Sequence, residues 1–302
     1  MPIRQLGYIH WSTDKFKEWR TYAVDVFGFM PVSGSDPDSM YFRIDDRPYR
    51  LVVSPAKAPT LTAIGFEVAD DLELAATCTL LRDNGYEVEE GTDAESADKR
   101  VTGFARFTDP AGVPIELFYG PVLDHVPVVT PLVTGFVTGD MGMGHIVIGS
   151  KDIEASQHLY RDLLGFHRRN TMQVDLGEGR VVPMYFFGCN PRHHTLGLWG
   201  DEIPGHMAHF MVEGRTIDDV GRALDRCQDH GVEMQWGLGR HTNDHMISFY
   251  CCTPDGSATE FGYSGVRIED VDKETTYAIT APSFWGHRPP VEYPDAPAVL
   301  KA

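Results

Sequence analysis

The sequence predicts an α+β protein of two homologous halves, each built from two modules of the order β-α-β-β-β. The main observation is an internal repeat. Gly7-Tyr8-Ile9, followed by a helical stretch and Gly28-Phe29-Met30, recurs with the same spacing as Gly144-His145-Ile146 and Gly165-Phe166-His167. Short segments rich in Ile, Val and Phe alternate with amphipathic helical patterns in both halves, which is the second observation.

Further matches extend the repeat and set the expected domain boundaries. We predict an N-terminal domain over residues 1–130, a C-terminal domain over 138–285 and a Pro-rich tail over 286–302, with a linker rich in proline between the halves. The matched segments are Phe66-Glu67-Val68 with Phe210-Met211-Val212, Asp109-Pro110-Ala111-Gly112 with Thr253-Pro254-Asp255-Gly256, and Glu116 with Glu260.

Each of the four modules begins with a predicted strand, at residues 6–10, 63–68, 145–149 and 208–212. A helix follows each strand. In the third module Asp152 is placed to cap the helix, and Gly165 is placed to end it. In the fourth module Thr216 and Asp219 have the spacing of a capping box, and Gly231 follows the helical pattern.

Composition and charge exclude several classes of partner. The chain has 26 Lys and Arg against 44 Asp and Glu, a formal net charge of −18, so nucleic acids and anionic membranes are not expected partners. No apolar stretch reaches the length of a membrane span, and the N-terminus lacks the apolar region of a signal peptide. Five cysteines without Cys-x-x-Cys spacing predict reduced thiols and a cytoplasmic location. We also expect a homo-oligomer.

The distribution of histidines places the chemistry in the second half. Eleven of the 13 histidines follow residue 144. In the repeat, His145 takes the place of Tyr8 and His209 that of Gly65, while Glu260 matches Glu116. Two histidines and one carboxylate on separate strands form the facial triad of non-heme Fe(II) sites, although the same donors also suit Mn(II), Zn(II) or Ni(II). The N-terminal domain is therefore predicted to hold no metal.

The segment around Glu260 carries a family resemblance. Its pattern is Gly239-x-His241, seven residues, Phe249-Tyr250, two residues, Thr253-Pro254-x-Gly256, three residues and Glu260. This pattern resembles the signature of the type I extradiol ring-cleavage dioxygenases of the vicinal oxygen chelate superfamily, which have a glyoxalase-like fold. Within that family the chain is most similar to the 2,3-dihydroxybiphenyl 1,2-dioxygenases and the secosteroid-catechol dioxygenases.

The resemblance implies a role for each candidate site residue. It implies Fe(II), with Mn(II) as an alternative, on His145, His209 and Glu260, and a catechol and O₂ as the small-molecule partners. His194 is the implied general acid and base, His241 and Tyr250 bind substrate oxygens, and Asn243 and Asp244 orient them or form a turn. The implied substrate pocket comprises Val147, Met172, Val174, Met184, Phe187 and Pro282.

The implied activity is extradiol cleavage of a 3-substituted catechol of biphenyl, polycyclic or alkylated type, in the degradation of aromatic compounds. A glyoxalase-like isomerase or thiol transferase is an alternative within the superfamily. It would not explain His194, His241 and Tyr250 together. A metal-free protein that sequesters a small molecule is the alternative from another class, and the intact triad disfavours it.

Overall fold

The computed structural model describes residues 2–275 and 277–289, which form two mixed sheets with few helices. The N-terminal strands are β1 Ile3–Thr13, β2 Met30–Val32, β3 Met40–Arg43, β4 Leu51–Pro55, β5 Thr60–Val68, β6 Glu89–Glu90, β7 Gly103–Thr108 and β8 Pro114–Tyr119. The helices of this half are α1 Phe16–Thr21, which continues as a wider π turn over Tyr22–Val26, α2 Asp71–Asp83 and α3 Asp93–Lys99.

The C-terminal half repeats this arrangement and extends it. Its strands are β9 His145–Gly149, β10 His167–Asp175, β11 Val181–Gly188, β12 Leu196–Trp199, β13 Met207–Glu213, β14 Met234–His241, β15 Ile247–Cys252, β16 Ala258–Tyr263, β17 Ala278–Ile279 and β18 Ser283–Trp285. Its helices are α4 Ile153–Gln157, which continues as a π turn over His158–Leu163, and α5 Ile217–Asp229. A short 3₁₀ turn, Gly139–Met141, precedes β9.

The two sheets share a common strand order. The first runs β2-β3-β4-β1-β5-β8-β7-β6, and the second runs β17-β10-β11-β12-β9-β13-β16-β15-β14-β18. In both, the first strands of the two modules lie side by side and antiparallel at the centre, as β1 with β5 and β9 with β13. The predicted α+β fold of paired modules is therefore confirmed.

The predicted helix caps are also present. The Asp152 side chain accepts a hydrogen bond from the Ala155 amide at the start of α4. Thr216 and Asp219 form the expected reciprocal capping box of α5. Gly165 and Gly231 follow their helices with φ angles of 71° and 64°, a conformation that a residue with a side chain rarely adopts.

Strand register corrects one part of the repeat. Ala63 pairs with His10 in the first sheet, and His209 pairs with Val147, the counterpart of His10, in the second. His209 therefore corresponds to Ala63, and Met211 corresponds to Gly65. Sequence matching misplaced this strand by two residues, because it aligned the Phe of Phe66-Glu67-Val68 with Phe210, whereas strand pairing with β8 and β16 makes Val212 the counterpart of Phe66.

The hydrophobic core runs through both halves. The ring centroids of Phe27 and Phe261 lie 5.8 Å apart with tilted planes, and those of Phe66 and Phe166 lie 5.4 Å apart in an edge-to-face arrangement. These contacts join the halves through buried aromatic rings. Most of the tail predicted over 286–302 lies outside the described residues, but His287 is described and buried. Among the described helices, none is long and apolar enough to cross a membrane.

Candidate metal centre and substrate cavity

Three adjacent central strands bring the predicted triad together. His145 begins β9, His209 lies in β13 and Glu260 lies in β16. Met211 of β13 pairs with both His145 and Glu260. Because side chains alternate along a strand, His209 shares the face of Met211, and all three polar side chains project from the same side of the sheet.

The donor atoms of the triad converge. His145 Nε2 lies 3.1 Å from His209 Nε2 and 3.1 Å from Glu260 Oε2, and His209 Nε2 lies 3.6 Å from the same carboxylate oxygen. One ligand atom from each residue lies within 4.8 Å of the others. In the described part of the chain, this is the one cluster of at least three His, Cys, Asp or Glu side chains with that geometry.

The chemistry of these donors fits a divalent cation. Burial, assisted by His145, lowers the pKa of His209 to about 3, so its ring is neutral and offers a lone pair at neutral pH. Burial alone would raise the pKa of Glu260, but nearby His145 and His241 lower it well below its ordinary value. Glu260 Oε1 is buried without a hydrogen bond. An ionised carboxylate and two imidazoles, without thiolates, suit a first-row metal such as Fe(II) or Mn(II).

His194 lies directly over one ligand. Its ring stacks on that of His145 with centroids 4.1 Å apart, and its Nδ1 lies 3.1 Å from His193 Nδ1 and 3.8 Å from Asp244 Oδ2. Burial lowers the pKa of His194 well below its ordinary value, and the neighbouring His145 and His193 lower it further. The ring is therefore neutral at pH 7 and can accept a proton.

His241 and Tyr250 form a hydrogen-bonded pair beside the triad. His241 Nδ1 donates to the Pro282 carbonyl over 3.0 Å, and its Nε2 lies 2.7 Å from the Tyr250 hydroxyl. Burial lowers the pKa of His241, but the Glu260 and Asp244 carboxylates and the Pro282 carbonyl raise it to about 9. Burial and Glu260 raise the pKa of Tyr250, so it remains a phenol. A protonated His241 donates to the Tyr250 oxygen, which leaves the phenol proton available.

Asn243 and Asp244 form a buried turn at the edge of the same cavity. The Asp244 amide donates to Asn243 Oδ1 over 2.8 Å, and the Met246 amide donates to Asp244 Oδ1 over 3.0 Å. Both residues also line the cavity. The two roles considered for this pair, a turn and a part of the site, are therefore compatible.

The triad lies at one side of a cavity of about 990 Å³. Five of the six predicted pocket residues line it. Phe187 does not, because it is fully buried in the hydrophobic core, and its neighbour Phe186 lines the cavity instead. Consecutive residues of β11 face opposite sides, so the prediction selected the wrong one of two adjacent phenylalanines. The five that line the cavity are Val147, Met172, Val174, Met184 and Pro282.

Sequence reasoning missed the contribution of the N-terminal half. Trp11 lines the cavity, and the Nε1 atoms of Trp11 and Trp19 donate to Asp255 Oδ2 over 2.7 and 2.9 Å. Asp255 is the variable residue of the Thr-Pro-x-Gly turn that leads into β16 and Glu260. We call these two hydrogen bonds the tryptophan clamp. In the sequence, only the acidic residue at this variable position could have indicated a contact with the N-terminal half.

The equivalent place in the N-terminal half is filled by its own side chains. The Tyr8 hydroxyl donates to Glu116 Oε2 over 2.6 Å, and Lys99 Nζ lies 2.8 Å from Glu116 Oε1. The Tyr8 ring packs over Gly65, where a Cβ atom would lie 2.3 Å from it. An ammonium group thus neutralises the carboxylate that corresponds to Glu260.

Comparison with known families gives two matches along the chain. Residues 142–261 match the Glyoxalase/Bleomycin resistance protein/Dioxygenase superfamily. Residues 6–55 match the first domain of the dihydroxybiphenyl dioxygenase BphC. The first of these segments contains the whole triad.

Individual proteins are similar over nearly the whole length. An iron-dependent extradiol dioxygenase from Rhodococcus jostii is 41% identical, covering 95% of this chain and 97% of that protein. A biphenyl-2,3-diol 1,2-dioxygenase from Metapseudomonas furukawaii is 38% identical, covering 95% of this chain and 94% of that protein. The crystal structure of a catechol 2,3-dioxygenase superposes with a TM-score of 0.90 at 31% identity, covering 97% of both chains.

Proposed function

Since the chain belongs to the extradiol ring-cleavage dioxygenases, we propose that it opens a 3-substituted catechol with O₂ at the ring bond next to the two hydroxyls. We propose Fe(II) as the metal on His145, His209 and Glu260. The observation that carries the proposal is the convergence of these donors in a cavity that also contains His194, His241 and Tyr250. The iron dependence in the name of the Rhodococcus jostii relative supports iron over manganese.

The chemistry that a bound Fe(II) supplies is Lewis-acid activation of the catechol and electron transfer between ring and O₂. His194 is neutral and buried, so it accepts a catechol proton at the start and returns it later. Tyr250, held by His241, donates a hydrogen bond from its hydroxyl to a substrate oxygen and so helps to fix the plane of the substrate ring. His194 and Tyr250 are buried, which keeps water away from the proton transfers.

The size of the cavity supports a substituted substrate. A volume of about 990 Å³ exceeds what a single catechol ring requires, and apolar side chains such as Val147, Met184 and Phe186 line it. This space suits a biphenyl-type, polycyclic or alkylated catechol.

The experiment is anaerobic reconstitution with Fe(II), followed by catechol, 3-methylcatechol and 3-phenylcatechol with O₂ uptake and visible absorbance as readouts. We expect a yellow hydroxy-oxo-dienoate, with both atoms of ¹⁸O₂ in the product apart from exchange with water. Parallel reconstitution with Mn(II) tests the choice of metal. A colourless product cleaved between the hydroxyls would contradict the proposal. Absence of O₂ uptake with every catechol would favour a glyoxalase-like reaction, and absence of metal binding would favour sequestration.

We also propose a cytoplasmic homo-oligomer. All five cysteines are free thiols, which suits a reducing compartment. Exposed apolar side chains, including Leu176 and Val181 on the hairpin between β10 and β11, support association between copies. Light scattering of the purified protein will give the mass in solution, and a monomer would contradict this part.

A further inference from the structure

A short C-terminal segment joins the two edges of the ten-stranded sheet. Strand β17 pairs with β10, and β18 pairs with β14 at the opposite end of the strand order. Three residues, Thr280, Ala281 and Pro282, connect β17 to β18. Ile279, Thr280 and Pro282 line the substrate cavity. We call residues 278–287 the C-terminal strap.

The strap is tied to the catalytic groups through backbone carbonyls. The Pro282 carbonyl accepts hydrogen bonds from His241 Nδ1 over 3.0 Å and from the Thr242 amide over 3.2 Å. The Thr242 hydroxyl donates to the Ala281 carbonyl. A carbonyl can only accept, so Nδ1 of His241 carries a proton, and this bond directs Nε2 toward Tyr250.

His287 lies at the end of the strap and packs on the same imidazole. Its ring centroid is 4.1 Å from that of His241, with an angle of 33° between the planes. His287 Nε2 donates to the Ser248 carbonyl over 3.1 Å, and its Nδ1 lies 2.6 Å from the Ser283 hydroxyl. Both nitrogens of His287 are therefore engaged, and the side chain is buried.

Two glycines make this packing possible. A Cβ atom at Gly239 would lie 2.5 Å from Cγ of His287. Gly286 has a φ of 73°, and a Cβ atom there would lie 2.1 Å from the Leu238 carbonyl oxygen. The strap can approach β14 this closely because both positions lack side chains.

We propose that His287 is a positioning residue that holds the plane of His241 and fastens the C-terminal strap over the substrate cavity. The His287 ring covers one face of the His241 ring, and the Pro282 carbonyl holds its Nδ1. Together these contacts keep Nε2 directed toward the Tyr250 hydroxyl. The significance for catalysis rests on the proposed function. The packing of His287 on His241 is independent of the proposed function.

The test compares His287→Ala, His287→Phe and Arg288→Ala, the last being a control at the next, exposed residue. We expect His287→Ala to keep its iron and to lower kcat with a 3-substituted catechol by about 10-fold or more, with a smaller change in KM. His287→Phe keeps the stacked ring and should recover most of the lost kcat. Arg288→Ala should match the wild type. A His287→Ala variant with unchanged kcat, or equal losses in all three variants, would overturn the proposal.

A second readout does not depend on turnover. In the full-length, metal-free protein with ¹⁵N-labelled histidine, NMR should show the His241 ring in one protonation arrangement in the wild type and in His287→Phe. His287→Ala should broaden or shift these signals. If no catechol is cleaved but the His241 signals change in this way, the proposed function fails and the positioning role stands. Unchanged His241 signals in His287→Ala would refute the positioning role even in an active enzyme. Should His287→Ala not fold, a His287→Phe variant with a disordered His241 ring would likewise refute it.

Discussion

Glutamine substitutions at the two equivalent glutamates should separate metal binding from stability. Glu260→Gln removes the charged oxygen ligand, so we expect iron affinity to fall by roughly 100-fold or more. Loss of a residue that only hydrogen-bonds to a metal ligand typically lowers metal affinity by about 10–100-fold. His145 and His241 lower the pKa of Glu260, so its negative charge stabilises the folded, metal-free chain at neutral pH. The neutral amide loses this stabilisation, and the metal-free variant should melt below the wild-type temperature.

Glu116→Gln should lower stability without loss of iron. It leaves the Lys99 ammonium, only 19% exposed, without the carboxylate at 2.8 Å. Breaking a fully buried ion pair costs about 3–5 kcal/mol, and partial exposure of Lys99 reduces this to about 2–3 kcal/mol. At about 2–4 °C per kcal/mol, Tm should fall by roughly 4–12 °C, with iron content unchanged.

The assay is iron analysis after anaerobic reconstitution, combined with thermal unfolding of the metal-free variants by circular dichroism. Equal loss of iron in Glu116→Gln and Glu260→Gln would refute the assignment of the metal to the C-terminal half. An unchanged Tm in Glu116→Gln would refute the account of the N-terminal carboxylate.

Three further predictions follow from the same geometry. His194→Gln should retain iron yet lower kcat by about 10²-fold or more, and near-normal turnover would make this residue structural. Burial, opposed by Glu116, lowers the pKa of His10 to about 4. The unfolded chain therefore takes up this proton at a higher pH than the folded chain, and the free energy of unfolding falls as pH drops from about 6.5 to 4. In urea unfolding, His10→Phe should lose about 2 kcal/mol less than the wild type between pH 7 and pH 5. Phe186→Ala should raise KM for 3-phenylcatechol more than Phe187→Ala does, because only Phe186 lines the cavity. Phe187→Ala should cost more stability, about 3–5 kcal/mol, because Phe187 belongs to the main core, and the reverse pattern would contradict the orientation of β11.

The sequence predicted features reliably where the interacting residues lie close together along the chain. The capping box of Thr216 and Asp219 depends on residues three positions apart, and it forms as expected. The fold class followed from the repeat. The convergence of His145, His209 and Glu260 followed from the repeat and from strand alternation, and their donor atoms do meet.

Features that depend on register and on distant contacts were not predictable. Strand pairing makes Ala63, rather than Gly65, the counterpart of His209, because the similar Phe-x-Val segments of the two strands do not occupy the same register. The choice between Phe186 and Phe187 depends on which face of β11 meets the cavity, and two apolar neighbours give no pattern to decide it. His287 lies in a Pro-rich stretch whose composition suggests a loose tail, yet its contacts are made with strands far earlier in the chain.

The tryptophan clamp also bears on the order in which the molecule assembles. Trp11 and Trp19 are separated from Asp255 by 244 and 236 positions along the chain, so these bonds form only when the two halves meet. A chain emerging from the ribosome presents its N-terminal half first, and that half offers two indole donors to the turn before β16. We therefore expect docking of the N-terminal half to fix the turn that precedes Glu260. During refolding, ring-cleaving activity should return later than secondary structure, at the rate at which the two halves dock.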